Sequence, residues 1–209
     1  MCFFLGRPVR PQTHLADSPI EALTNWKPFT APVVGDFMLD QQLYGDADRL
    51  SADAPVPVLR VTRQEAMPGG AGNLAEDLIA LGGEVRVFGV TGRDTEGELL
   101  RERLEAAGID TKGLIADETR PTTVKRNLIG LAQHRHPQKM FRVDFESRDA
   151  LAKPTAERLL AALDAAMSDA DVLCLEDYDK GVCDPAMCAA IVELSRKHGV
   201  PLLVDPASR

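Results

Sequence analysis

The sequence has few residues that could tie it together covalently. Its four cysteines, Cys2, Cys174, Cys183 and Cys188, contain no Cys-x-x-Cys pair in 209 residues. Such open spacing argues against a disulfide framework or a cysteine metal knot, and Cys174, set in an apolar run, reads as a small core residue. Histidine is equally sparse, with four residues. His134 and His136 flank Arg135 in a polar stretch that reads as a solvated loop, so no metal site is expected. No apolar run approaches the roughly 20 residues of a membrane-spanning helix. Met1 to Leu5 is apolar, but Arg7, Pro8 and Arg10 follow at once, too soon for a secretory signal, so a cytoplasmic location is expected. Long Lys/Arg clusters are missing and the formal charge is -8. Without a local positive field, neither nucleic acid nor an anionic membrane is expected as a partner. A few placed cations are still enough for a small anionic substrate.

What is present is a chain of separated periodic apolar blocks, 44% hydrophobic overall, enough for one substantial core. Residues 1 to 30 hold Pro8, Pro11, Pro19 and Pro28 without a sustained period and read as a weakly ordered arm. The compact domain is expected over residues 31–209. Pro32 to Asp36 reads as a short buried strand ending in a polar turn. Ala54 to Val61 is β-prone, but its two prolines confine it to an edge or flap. Helices are expected over 71–81, 96–107, 155–167 and around Met187 to Leu194, alternating with apolar strands at 85–90, 171–175 and 201–205. Thr122 to Leu131 and Met140 to Phe145 read as a long hairpin, expected to pair with the Pro-flanked strand as a small β lid, near 41–66 and 120–146. Helices alternating with short, fully apolar strands imply an α/β fold: a mainly parallel, doubly wound sheet with helices on both faces.

Two motifs carry candidate chemistry. Gly35-Asp36-Phe37-Met38-Leu39-Asp40 places two carboxylates after a buried strand, where open α/β sheets bind ligands. Asp36 reads rather as a turn cap. For Asp40 a cap and an acceptor for sugar hydroxyls stay equally open. Pro68-Gly69-Gly70-Ala71-Gly72-Asn73-Leu74-Ala75 is a glycine turn at a helix start, where a ligand can meet the backbone and Asn73 offers both donor and acceptor. Such a turn alone is equally a tight connection or another kind of phosphate loop. Here Gly82 and Gly92 follow at fixed spacing.

That glycine pattern is similar to the first signature of the ribokinase-like (pfkB) sugar kinases. With Gly35 to Asp40, Ser51-Ala-Asp-Ala-Pro-Val-Pro57, Arg142-Val-Asp-Phe-Glu146 and Asp177-Tyr-Asp-Lys-Gly181, the series over residues 31–209 resembles the kinase domain of heptose 7-phosphate kinases. The resemblance implies a ribokinase-like fold and ATP- and Mg2+-dependent phosphorylation of a heptose 7-phosphate at its anomeric oxygen, toward ADP-heptose for lipopolysaccharide core and other surface glycans. By it, Asp40 and Asn73 should hold sugar hydroxyls, and Gly69 and Gly70 should line the pocket. Lys125, Arg142 and Lys180 are the cations available to the substrate's phosphate. Lys180 reads equally as an ion-pair partner of Asp177 or Asp179, and Arg142 and Asp144 as a cross-strand pair. The family often carries a base two positions after Lys125, where this chain has Asn127. Arg126, one residue away, should point to the opposite face. The resembled kinases take their general base from a Gly-Ala-Gly-Asp segment, and none occurs in this sequence. The expectation is therefore the sugar-binding portion of such a kinase with the C-terminal part of the fold missing, inactive by itself. Alternatives are a non-catalytic sugar-phosphate binding or dimerisation module and a portion of a kinase for another sugar or nucleoside. Expected partners are a small phosphorylated sugar and a second copy of the chain, paired through the β lid.

Overall fold

The computed structural model describes residues 3–5, 27–131 and 136–207, with side chains for all but 3–5. Most of the expected arm, together with Cys2, His134 and Arg135, lies outside the described residues.

Two sheets organise the chain. The first has the order β1-β10-β9-β2-β5-β6, built from β1 (Phe3–Leu5), β2 (Phe29–Gly35), β5 (Gly83–Gly92), β6 (Asp110–Asp117), β9 (Leu173–Glu176) and β10 (Leu202–Asp205). All neighbours run parallel except β1, which pairs antiparallel with β10. The central strands bury both faces. Val33, Val87 and Cys174 enter one core with α1 (Ala71–Ala80) and α2 (Thr95–Ala106). Val34, Phe88 and Leu175 enter the other, beneath Leu159 and Leu163 of α3 (Lys153–Ala166) and Met187 and Ile191 of α4 (Pro185–His198). Successive strand residues point to opposite faces, so continuous apolar runs are what a doubly covered parallel sheet requires. Local chemistry sets the helix ends. Asp184 accepts the Met187 N–H at 2.7 Å, Pro185 opens α4, and Gly199 closes it in the left-handed conformation. No helix among the described residues is long and apolar enough to cross a membrane.

The second sheet has the order β4-β3-β7-β8, from β3 (Phe37–Leu50), β4 (Pro57–Gly70), β7 (Val124–Leu131) and β8 (Gln138–Phe145). Two expectations need correction. The segment from Asp36 onward is not a turn but leads at once into the 14-residue strand β3. The hairpin β7–β8 does not touch the Pro-flanked strand: it pairs with β3 in parallel, and β4 lies on the far side of β3. β3 was obscured because its polar residues do not alternate cleanly, and a bulge interrupts its register at Tyr44/Gly45. β6 was likewise unanticipated. Its run Asp110-Thr-Lys-Gly mixes charge and glycine within a strand whose second half is apolar.

Candidate binding site where the two sheets meet

The chain leaves the first sheet at Gly35, the end of β2, and enters the second at Phe37, so Asp36 alone bridges the two. It returns at Gly70, the end of β4, where the Ala71 N–H donates to the Asp36 carbonyl at 3.0 Å. Asp36 is 1% exposed. Its carboxylate accepts the N–H groups of Tyr178 at 2.8 Å, Lys180 at 3.1 Å and Val182 at 3.2 Å. The 178–182 loop at the carboxyl end of β9 is thus wrapped around Asp36. Burial raises the Asp36 pKa, and the three amides pull it back. A capping role holds in kind, but the capped loop lies 142 residues away in sequence rather than next door.

Asp40 sits four residues further along, on β3, between Met67 of β4 and Lys125 of β7. It is half-buried, and no described residue gives its carboxylate a hydrogen bond. Burial raises its pKa, opposed by Lys125, Lys139 and Arg142. Register extends this face: Lys125 lies opposite Asp144 of β8, and Asn127 opposite Arg142. Arg142 grips Asp144 in a bidentate pair at 2.8 Å. That pair runs along one strand, two residues apart, and corrects the cross-strand expectation. Arg126 points to the other face, as a one-residue offset requires, donating to Gln41 at 2.7 Å and Glu96 at 3.3 Å.

The glycine turn closes the site from the body side. A Cβ at Gly69 would stand 2.5 Å from Asp40 Oδ2, so only glycine lets that carboxylate lie against β4. Gly70 has a φ of 59°, and a Cβ there would meet the Asp36 carbonyl at 2.5 Å and Tyr178 Cδ2 at 3.5 Å. Asn73 is exposed on the first turn of α1, its amide 3.4 Å from Asp77 Oδ2.

Asp40, Gly69, Gly70, Lys125 and Arg142 therefore converge, with Asn73 on the adjoining helix start. Lys180 does not face this group. Its side chain is 10% exposed, and its ammonium pairs with Glu146 at 3.0 Å rather than with Asp177 or Asp179, which corrects its expected partners. Burial opposes ionisation of Glu146, yet Lys180 and Arg148 hold its pKa below the usual value. Arg120 ties the same region together, donating to the carbonyls of Asp149 at 2.6 Å and Lys180 at 3.2 Å, while its Nε is buried with no partner.

Sequence reasoning passed over two side chains here. Tyr178, inside the Asp177 to Gly181 motif, places its ring 5.4 Å from the Lys125 ammonium. Glu146 closes the Arg142 to Glu146 motif as the partner of Lys180. Both were visible as members of those motifs, but nothing local announces a contact across thirty residues or more.

One cluster of potential metal ligands occurs among the described residues, Asp36, Asp177 and Cys183. It does not fit the divalent cation of a nucleotide. The Asp36 oxygens already take three N–H donors, and hydrogen bonding with Cys188 and burial push the Cys183 thiol pKa strongly up, leaving it neutral. At the carboxyl ends of β9 and β10, Glu176 and Asp205 are register partners. Glu176 is 8% exposed, and burial followed by the charge of Asp205 raises its pKa to about 7. That pair favours a bound proton.

The profile described as pfkB family carbohydrate kinase matches residues 29–209. Bifunctional protein HldE of Gluconacetobacter diazotrophicus is 41% identical over 180 residues, 86% of this chain and 36% of that protein. The protein of the same name from Helicobacter pylori is 40% identical over 177 residues, 85% of this chain and 37% of the relative. The chain thus spans about a third of the length of these curated relatives. Among solved structures, a carbohydrate kinase from Agrobacterium tumefaciens superposes with a TM-score of 0.60 at 19% identity, covering 83% of this chain and 52% of that one. Arabidopsis thaliana ribokinase complexed with ribose and ATP gives a TM-score of 0.59 at 16% identity, covering 88% and 55%. These two share the fold.

Proposed function

The chain belongs to the pfkB family of carbohydrate kinases, and from that premise we propose that it forms the sugar-binding portion of an ATP-dependent heptose 7-phosphate kinase. The reaction served is phosphorylation of the anomeric oxygen, toward ADP-heptose for surface glycans. One observation carries the reading: an unbonded, half-buried carboxylate, Asp40, flanked by three cations and opened toward the backbone by Gly69 and Gly70. An ionised carboxylate accepts hydrogen bonds only, so Asp40 suits a pair of hydroxyl donors. A cationic rim around it suits a ligand that also carries a phosphate.

In this reading Asp40 and Asn73 hold sugar hydroxyls, and Gly69 and Gly70 line the pocket. Lys125 and Arg142 meet the phosphate, Arg142 by exchanging one oxygen of Asp144 for it. Lys180 joins them only by exchanging Glu146 for the ligand's phosphate. The four-stranded sheet, residues 37–70 and 124–145, acts as the lid. Its exposed Phe141 and Leu50 support pairing of two copies through it. ATP supplies the transferred phosphoryl group and Mg2+ its charge neutralisation, and no described residue is assigned to either. No Gly-Ala-Gly-Asp segment occurs among these 209 residues, so binding without turnover is expected of them.

Calorimetric titration with heptose 7-phosphate and with unphosphorylated heptose, alongside ADP release, tests this. Binding of both sugars is expected, with the phosphate gaining affinity that Lys125→Met removes. Absence of binding to either sugar, or turnover on the order of 1 per second, would overturn the reading.

A further inference from the structure

Tyr178 is an exposed aromatic residue at the crossing, and three observations fix it there. Its backbone N–H is held by the Asp36 carboxylate at 2.8 Å. Its Cδ2 lies beside Gly70, at ordinary contact distance from where a Cβ would stand. Its ring stands under the Lys125 ammonium at 5.4 Å. Despite these ties the residue is 40% exposed, and the acidic charges that act on it are those of Glu176, Asp205 and Asp40. A rigidly mounted ring exposed among hydroxyl acceptors and a cation has one unused property, its apolar face. A pyranose has the complementary form: hydroxyls at its rim and a patch of C–H groups on its face, which packs on an aromatic ring while the rim groups reach charged neighbours.

We propose that Tyr178 is a substrate-contacting residue whose ring packs against the C–H face of the bound sugar and steers Lys125 onto the ligand's anionic group. The inference rests on the sugar-site reading and adds to it a stacking wall, which restricts substrates to those presenting a flat apolar face. Lys125 lies over the ring because the ring quadrupole attracts its ammonium. A phosphate then draws the ammonium away, and the sugar covers the ring.

The chain has two tyrosines, which makes the contact directly observable. Tyr44 lies on the second sheet beneath Arg63, and Tyr44→Phe keeps that ring while leaving Tyr178 the sole tyrosine. In this protein with labelled tyrosine, titration with heptose 7-phosphate should give nuclear Overhauser contacts from Tyr178 ring protons to sugar C–H protons. Calorimetry should show Tyr178→Leu losing about tenfold in affinity, the scale of one aromatic contact, while Tyr178→Phe stays within about threefold of wild type. Binding without those contacts, or equal affinity of Tyr178→Leu and wild type, overturns the assignment and leaves the sugar site standing. If wild type binds neither heptose 7-phosphate nor heptose, the sugar reading itself fails and takes this inference with it. Because the contacts are read on a protein with Tyr178 intact, misfolding of Tyr178→Leu does not remove the test.

Discussion

The carboxyl edge of the first sheet and the open face of the second meet in one short motif, and they use its two aspartates in opposite ways. Asp36 is sealed in, and each hydrogen bond its carboxylate accepts comes from a backbone N–H of a distant loop. Asp40 is half-exposed, surrounded by cations that neutralise it at a distance but give it no hydrogen bond. Residue type is therefore no guide to role. A carboxylate whose acceptor capacity is filled by the fold builds the site, whereas one whose capacity is left open is available to a ligand.

The largest expected effect lies on the sealed side. Asp36→Ala strands three amides, those of Lys180 and Val182 buried and that of Tyr178 part-buried, and should cost on the order of 3 to 5 kcal/mol of stability, read by urea unfolding. A loss below about 1 kcal/mol would mean that the loop holds itself and that the contrast with Asp40 is empty. Next comes the pair of buried Lys180 and part-buried Glu146. Lys180→Met should destabilise by about 2 to 3 kcal/mol, less than a fully isolated charge because Arg148 still faces Glu146, and adding Glu146→Gln should restore at least half of that. Unchanged stability with selective loss of heptose 7-phosphate affinity would instead move Lys180 to the ligand side of the comparison.

This division was only partly legible beforehand. The alternation of helices with apolar strands was plain, because burial on both faces leaves no polar residue in Val33-Val34 or Leu173-Cys174-Leu175. The glycine pair was plain too, as glycines set just before a helix, although the residues that require them there, Asp36, Met38 and Asp40, are distant in sequence. What stayed hidden depends on contacts distant in sequence. β3 carries polar residues on both faces because Asp40 looks onto the site and Gln41 onto Arg126, which also reaches α2, so its pattern has no period. The wrapping of 178–182 around Asp36 and the pairing of Lys180 with Glu146 span 142 and 34 residues, and nothing in either neighbourhood announces them.

On the open side, Asp40→Asn tests availability without disturbing shape. Its carboxylate makes no hydrogen bond, and burial already opposes its charge, so stability should change by less than about 1 kcal/mol. Sugar affinity should fall by about 1.5 to 3 kcal/mol, the range for hydrogen bonds to a charged acceptor, as measured by titration calorimetry. If stability falls while affinity holds, Asp40 belongs with Asp36 and the comparison collapses.

Glu176 supplies the smallest effect and the sharpest control, because it is buried much like Asp36 but its carboxylate receives no N–H donor from any described residue. Burial raises both acids, but only Asp36 has amides to offset it, so Glu176 shows what burial and the charge of Asp205 do without such donors. Its pKa stands at about 7 against an ordinary 4.5, so between those values the folded chain binds a proton that the unfolded chain has released. Stability from this group is complete below the unfolded value and declines as pH rises, disappearing above about 7. The full shift, part of which comes from the charge of Asp205, corresponds to at most about 3 kcal/mol, and relaxation around the ionised pair brings the expected change to about 1 to 2 kcal/mol. Glu176→Gln keeps a neutral side chain of the same shape at every pH. It should match wild type near pH 4.5 and exceed it in stability by that amount above pH 7, in parallel urea titrations of the two proteins. Parallel curves across the window would show that Glu176 is ionised and stabilised by a donor or cation. The carboxyl edge would then be satisfied throughout, as it is at Asp36.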